Sequence, residues 1–247
     1  MNGFSRAIVY LNDPYNWTRT DGFGIFSLLR DHLVISVVAV LLASVVALPI
    51  GIALGHSGRG GGFVVGLSNV SRAVPTLALL TIFAVTPIGF GNRATTIALA
   101  VFAVPPILTN AFVGFREVDH DVREAARAMG MNTRQVIGRA ELPLAFPLIM
   151  TGIRTATVQV VATAGLAALV GGGGLGRLIN LGFAQQDYGE VVAGAILVAG
   201  LAILTEIALV LLSWGLTPGQ KRLPFAGLHR PADPAGVAEP GVAGVPL

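Results

Sequence analysis

Long apolar runs alternate with short polar ones along this chain, and the length of those runs sets the first expectation about fold. About 20 apolar residues, rising 1.5 Å each, cross the ~30 Å hydrocarbon core of a bilayer. Residues 33–54 carry no charge at all, and residues 63–90 form a second run interrupted by Arg72, Pro75 and Pro87. A third run, 94–115, contains Pro105-Pro106; a fourth, 144–170, encloses Arg154; a fifth, 191–214, encloses Glu206. The pattern predicts an all-α, polytopic membrane bundle of about five transmembrane helices. The second span is long enough to tilt or break. Five spans put the two termini on opposite sides.

Composition supports this reading. Of 247 residues, 53% are hydrophobic and 12% charged, where a soluble domain carries about 25% charged. The basic residues choose the orientation. With the carboxyl terminus in the cytoplasm, Arg59, Arg116, Arg123, Arg127, Arg134, Arg139, Lys221, Arg222 and Arg230 fall inside. Arg6, Arg19, Arg30, Arg93 and Arg177 fall outside, leaving Arg72 and Arg154 in the spans. The positive-inside rule therefore places the amino terminus outside. Because the basic residues are spread between spans rather than gathered on one face, nucleic acid is not an expected partner. The absence of cysteine excludes disulfides and thiolate metal sites, and the four His show no paired spacing, so no metal site is expected.

Three regions follow from these boundaries. Residues 1–30, with Tyr10, Tyr15, Trp17 and Phe26, suit an external segment at the headgroup layer. Residues 31–217 form the membrane domain. The first apolar run is too long for a signal-peptide core, so the chain is expected to be inserted rather than cleaved. The tail 218–247, rich in Pro, Gly and Ala, buries too little to fold and is expected to be disordered.

Between the third and fourth spans lies DVREAARAMGMNTRQVIGRAELPLA, residues 121–145, dense in charge yet flanked by membrane segments. Asp121 and Glu124 have the spacing of a capping box, which predicts a helix from about Val122. Gly130 supplies a residue able to end that helix in the left-handed region. Asn132 with Gln135 repeats the start signal, and Pro143 is expected to close a second helix from behind. Ala125, Ala126 and Gly130 give a small-residue face that another protein could approach closely. An ordinary interfacial connector is the simpler alternative from spacing alone.

The run EAARAMGMNTRQVIGRAELPLAFP resembles the EAA motif of the permease subunits of ABC importers: Glu124, Ala125, Ala126, Gly130, Leu142 and Pro143 all fall where the motif expects them. RAVPTLALL (72–80), PPILTNAFVGFREVD (105–119), GIRTATVQ (152–159) and GGGGLGRLI (171–179) extend the likeness to the osmoprotectant branch, whose members import glycine betaine, choline, carnitine or proline. The similarity covers roughly residues 25–215. One departure is Ala140-Glu141 ahead of Leu142-Pro143, which puts little in doubt. The resemblance implies a multi-pass subunit of the bacterial cell membrane whose coupling helices, about 121–142, lie in a groove of a cytoplasmic ATP-binding subunit. It also implies an extracytoplasmic substrate-binding protein and a second permease, copy or sibling. ATP-Mg belongs to the partner, since this chain has no GxxxxGK[ST] run and binds no cofactor of its own by that criterion. GGGGLG reads better as a flexible reversal that lets chains pack closely.

Charges inside the spans cost on the order of 3 kcal/mol unpaired, so Glu206 is expected to pair with Arg154 or Arg72. Snorkelling to the headgroups is the alternative for the arginines. An ion-gradient-driven secondary transporter remains a second reading, weakened by the lack of visible inverted repeats. A membrane enzyme would need a catalytic cluster, and His32, His56, His120 and His229 have no partners at catalytic spacing.

Overall fold

Pro75 decides the most conspicuous feature of the fold. The computed structural model describes residues 2–216, all of its regular elements helical, and the expected tail 218–247 lies outside the described residues. Four helical stretches are long and apolar enough to cross a membrane: α3 (Ile25–Ser57), α6 (Asn92–Arg116), the stretch Thr133–Val170 and α11 (Tyr188–Leu216). The second expected span is not one helix. It is α4 (Gly61–Ala73) and α5 (Thr76–Ala84), bent by 86° at Val74-Pro75. Proline has no amide to donate and pushes the preceding residue out of helical space; Val74 accordingly sits at φ −83°, ψ 120°. The span count is therefore four continuous helices plus one broken pair.

The helices outside the spans position the rest. Helices α1 (Gly3–Asn12) and α2 (Pro14–Thr18) precede α3, which begins at Ile25, inside the expected segment 1–30, so that residues 25–30 are the first turns of the same helix that continues as the first span. Ile25 and Leu28 are buried with Leu175 and Leu178, and Trp17 packs on this cluster. Tyr10 donates to Glu190 at 3.1 Å, tying α1 to the start of α11. Burial, then the neighbouring Glu190, pushes the Tyr10 hydroxyl up to about 12, so it remains a donor at working pH.

The bundle centre is α3 against α6, with α9 (Leu142–Thr163) on α6. In lipid, apolar burial gains little, because the tails are as apolar as the helices; close packing of small residues decides instead. Ala39, Ala43 and Ala47 of α3 are buried against Leu99, Ala103 and Ile107 of α6 and Ala156 and Val160 of α9. Toward the carboxyl end of α3 the spacing Gly51-x-x-x-Gly55 brings backbones together. A β-carbon at Gly55 would stand 2.6 Å from Phe115 Cβ and 2.7 Å from the Phe112 carbonyl oxygen, a contact only glycine allows.

The glycine run at 171–176 is a pinned reversal rather than a loose one. The Asn92 carboxamide oxygen accepts from the Gly173 amide at 2.6 Å. The Leu175 amide donates to His32 Nδ1 at 3.3 Å, so His32 Nε2 carries the proton and donates to the Val161 carbonyl at 2.9 Å. His32 is thus a buried connector between α3, α9 and this loop, although the sequence offered no partner for it.

Candidate functional site

Three groups of residues on this scaffold bear on function: the module between α6 and α9, a polar cavity at mid-bundle, and a charge pair inside the spans.

In the module, α7 (His120–Ala128) starts two residues earlier than spacing predicted. Asp119, not Asp121, caps it, accepting the Asp121 amide at 3.0 Å. That shifts Glu124 to the fifth helical position, where it reaches no cap amide. Its side chain is 66% exposed, with His120 Nδ1 3.6 Å away. Ala125 and Gly130 are exposed, while Ala126 is buried within the chain. Gly130 turns the chain at φ +83°, as the end of α7 requires, and a β-carbon there would meet nothing within 4 Å. The second start signal forms a reciprocal capping box, Asn132 Oδ1 accepting the Gln135 amide and Gln135 Oε1 accepting the Asn132 amide.

Pro143 does not close that second helix. Helix α8 (Thr133–Gln135) widens into a π-helical turn over Val136–Glu141 and continues as α9. A proline in a regular helix would clash with the carbonyl four residues before and leave it without a donor. Widening the preceding turn accommodates it, so Leu142 and Pro143 open the fourth span rather than ending a connector. Only α7 is a separate helix, and the remainder of the expected coupling segment is the root of a span.

The residue that ties this module to the bundle is Glu141. Its side chain has no exposed surface, its Oε1 lies 2.8 Å from Arg123 Nε of α7, and its Oε2 accepts from His56 Nδ1, at the end of α3, at 2.7 Å. The Arg123 Nε contact lies off the direction of a linear hydrogen bond, so it is chiefly ionic. Arg123 Nη2 also donates to the Phe115 carbonyl at the end of α6. One carboxylate therefore clamps α7 to the ends of three span helices. Sequence reading treated Glu141 as a minor departure and missed His56 and Arg123. The available signal was a carboxylate placed directly ahead of an apolar run, where it needs a partner.

Inside the bundle, Arg154 Nε lies 3.6 Å from Glu206 Oε1, linking α9 to α11. Arg72 has no such neighbour among the described residues. It lines a cavity of about 580 Å³ beside the α4–α5 bend, together with Thr76, Phe102, Asn110, Thr155 and Gln159.

A helical bundle with a broken second span, a helix clamped between two spans and a polar cavity beside the break is the frame on which comparison with known proteins bears. Residues 47–216 match the family of the binding-protein-dependent transport system inner membrane component. The chain belongs to that family: it is a membrane-spanning permease subunit of ABC-importer type, which sets aside the secondary-transporter reading. It is 35% identical over 208 residues to the glycine betaine/carnitine/choline transport system permease protein OpuCB of Bacillus subtilis, spanning 84% of this chain and 95% of that protein. It is 42% identical over 188 residues to the carnitine transport permease protein OpuCB of Listeria monocytogenes, spanning 76% and 86%. Among solved structures, the inward-facing MetNI methionine ABC transporter is 23% identical and superposes with a TM-score of 0.66 over 75% of this chain and 93% of that chain, a likeness of fold alone. The family implies an ATPase and a substrate-binding protein as partners.

Proposed function

We propose that this chain forms half of the translocation path of an ATP-driven importer of trimethylammonium osmoprotectants, with the amino terminus outside, the carboxyl terminus in the cytoplasm, and α7 seated on the ATP-binding subunit. The solute class rests on the solutes for which the relatives are named, glycine betaine, carnitine and choline. The mechanical reading rests on the module. The exposed surface of α7 and the turn after it carries Glu124, Ala125 and Gly130, while the inner side of α7 is held through Arg123 and Glu141. A push on α7 by a closing ATPase dimer would reach the ends of α3, α6 and α9 through that clamp.

The observation that carries the path is the cavity at the α4–α5 bend. Its wall is polar, and Arg72 and Val74 on it are exposed at the surface of the single chain. Hydrocarbon cannot satisfy a guanidinium or broken backbone at that depth. A second permease, copy or sibling, must cover it and complete the path. The test is a photo-crosslinking residue at Val74 in the assembled transporter. A permease–permease adduct is expected; adducts to lipid alone would overturn the assignment of this face.

A further inference from the structure

The two arginines inside the spans stand in different surroundings. Arg154 has Glu206 beside it. Arg72 lines a cavity with no Asp or Glu in its wall, and no carboxylate pairs with it among the described residues. We propose that Arg72 is a specificity-determining residue that receives the carboxylate of the solute, so that this path favours carboxylate-bearing trimethylammonium compounds over a bare trimethylammonium cation. The inference rests on the reading of the cavity as part of the path.

Depth comes first. Helix α4 runs antiparallel to α6: Gly61 lies near the Phe112 ring, Ser68 Oγ lies 2.6 Å from Thr109 Oγ1, and Arg72 shares the cavity with Phe102 and Pro105. Pro105 is 13 residues from Asn92 and 11 from Arg116 within α6, about 20 Å and about 17 Å from its ends. Arg72 is therefore near mid-bilayer, too far from either surface for its charge to be answered by headgroups.

The chemistry of the surroundings is that of an anion receptor. A guanidinium presents its donors in a planar fork that matches a carboxylate. The amino end of α5 lines the same cavity through Pro75 and Thr76, and no side chain caps it. Its first amides and the positive end of its dipole add to the same potential, the arrangement by which broken membrane helices hold anionic groups. Asn110, Thr155 and Gln159 supply neutral hydrogen-bonding groups around it. The cationic end of the solute has a different wall. Pro105 and Pro106 lack the amides that would pair with the carbonyls of Val101 and Phe102, and Phe102, of the aromatic class that attracts quaternary ammonium groups, lines the same cavity. A zwitterion with a few carbons between its charges complements both walls. A simple cation complements only one and is repelled by Arg72.

The experiment uses the whole transporter, with its permease partner, ATPase and receptor, in proteoliposomes loaded with ATP. Receptor and solute are saturating, so that receptor affinity does not set the rate. Uptake of glycine betaine, carnitine and choline is compared for the parent, Arg72→Gln and Arg72→Lys. In Arg72→Gln, glycine betaine and carnitine uptake is expected to fall about 10- to 100-fold, the loss of one charge-assisted pair, while choline uptake holds or rises. Arg72→Lys, which keeps the charge without the fork, is expected to recover part of the loss. Equal loss for all three solutes, no loss, or no recovery in the lysine variant would overturn the assignment. A parent transporter that moves none of the three would instead sink the osmoprotectant reading itself, and this inference with it.

Discussion

Replacing Glu141 with Ala is expected to leave little assembled transporter. The carboxylate has no exposed surface and answers both Arg123 and His56. Breaking a buried pair from one side leaves an uncompensated charge and costs about 3–5 kcal/mol. Against a total stability of roughly 5–15 kcal/mol this is a large fraction. The loss also falls where α7 joins the ends of α3, α6 and α9. Glu141→Gln keeps the shape and an acceptor for His56 but not the charge, and should lie between. Replacing both ends at once, Glu141→Leu with Arg123→Met, removes the orphaned charge and should recover most of the yield. The checks are the amount of permease copurifying with the ATPase after detergent extraction, and its thermal midpoint. Parental yield and midpoint for Glu141→Ala would show that the clamp holds nothing together.

A separate loss is expected from Gly130→Val and Glu124→Ala: complexes that insert and fold but do not couple. Gly130 lies at φ +83° with open space around it, so the penalty for a β-carbon there is conformational, roughly 1 kcal/mol or more. That is small beside the Glu141 effect, and the chain should tolerate it. What the added side chain fills is the exposed surface that the proposed docking would present to the ATPase. Among the described residues Glu124 makes no ion pair beyond His120 at 3.6 Å. Its removal therefore costs the fold little, while taking from the partner an acceptor for a hydrogen bond or an arginine. Uptake should drop severalfold or more for each variant with insertion unchanged, read as uptake and ATP hydrolysis in the same vesicles. Parental uptake and parental ATPase binding in both variants would return α7 to the status of an interfacial connector.

The contrast between these two predictions marks what the sequence could reveal. Apolar run length sufficed for the spans because hydrocarbon thickness fixes it. The glycine turn after α7 and the Asn132–Gln135 start were legible because caps are local. The errors came where a nonlocal contact or a backbone adjustment outweighed the local rule. Asp119 out-competed Asp121 for the cap of α7. Pro143 was absorbed by a π-helical turn instead of ending a helix, whereas the break at Pro75 falls in the run whose length and proline already allowed it to tilt or break. Glu141, His56 and Arg123 lie on three elements separated by up to 85 positions, so no spacing rule could join them. Their clue was energetic: a carboxylate at the root of an apolar span needs an answer. The intramembrane arginines show the same limit. Arg154 and Arg72 look alike in sequence, and only the fold puts Glu206 beside one and a cavity beside the other.

The central claim is that this chain carries solute only as the membrane half of an ATP-driven, receptor-fed machine. The most direct measurement is glycine betaine uptake into proteoliposomes holding the permease with its cognate ATPase, with receptor outside and ATP inside. Uptake should require all three components, cease when a non-hydrolysable ATP analogue replaces ATP, and persist when proton and sodium gradients are collapsed. Uptake by the permease alone, driven by an ion gradient and indifferent to ATP, would contradict the account.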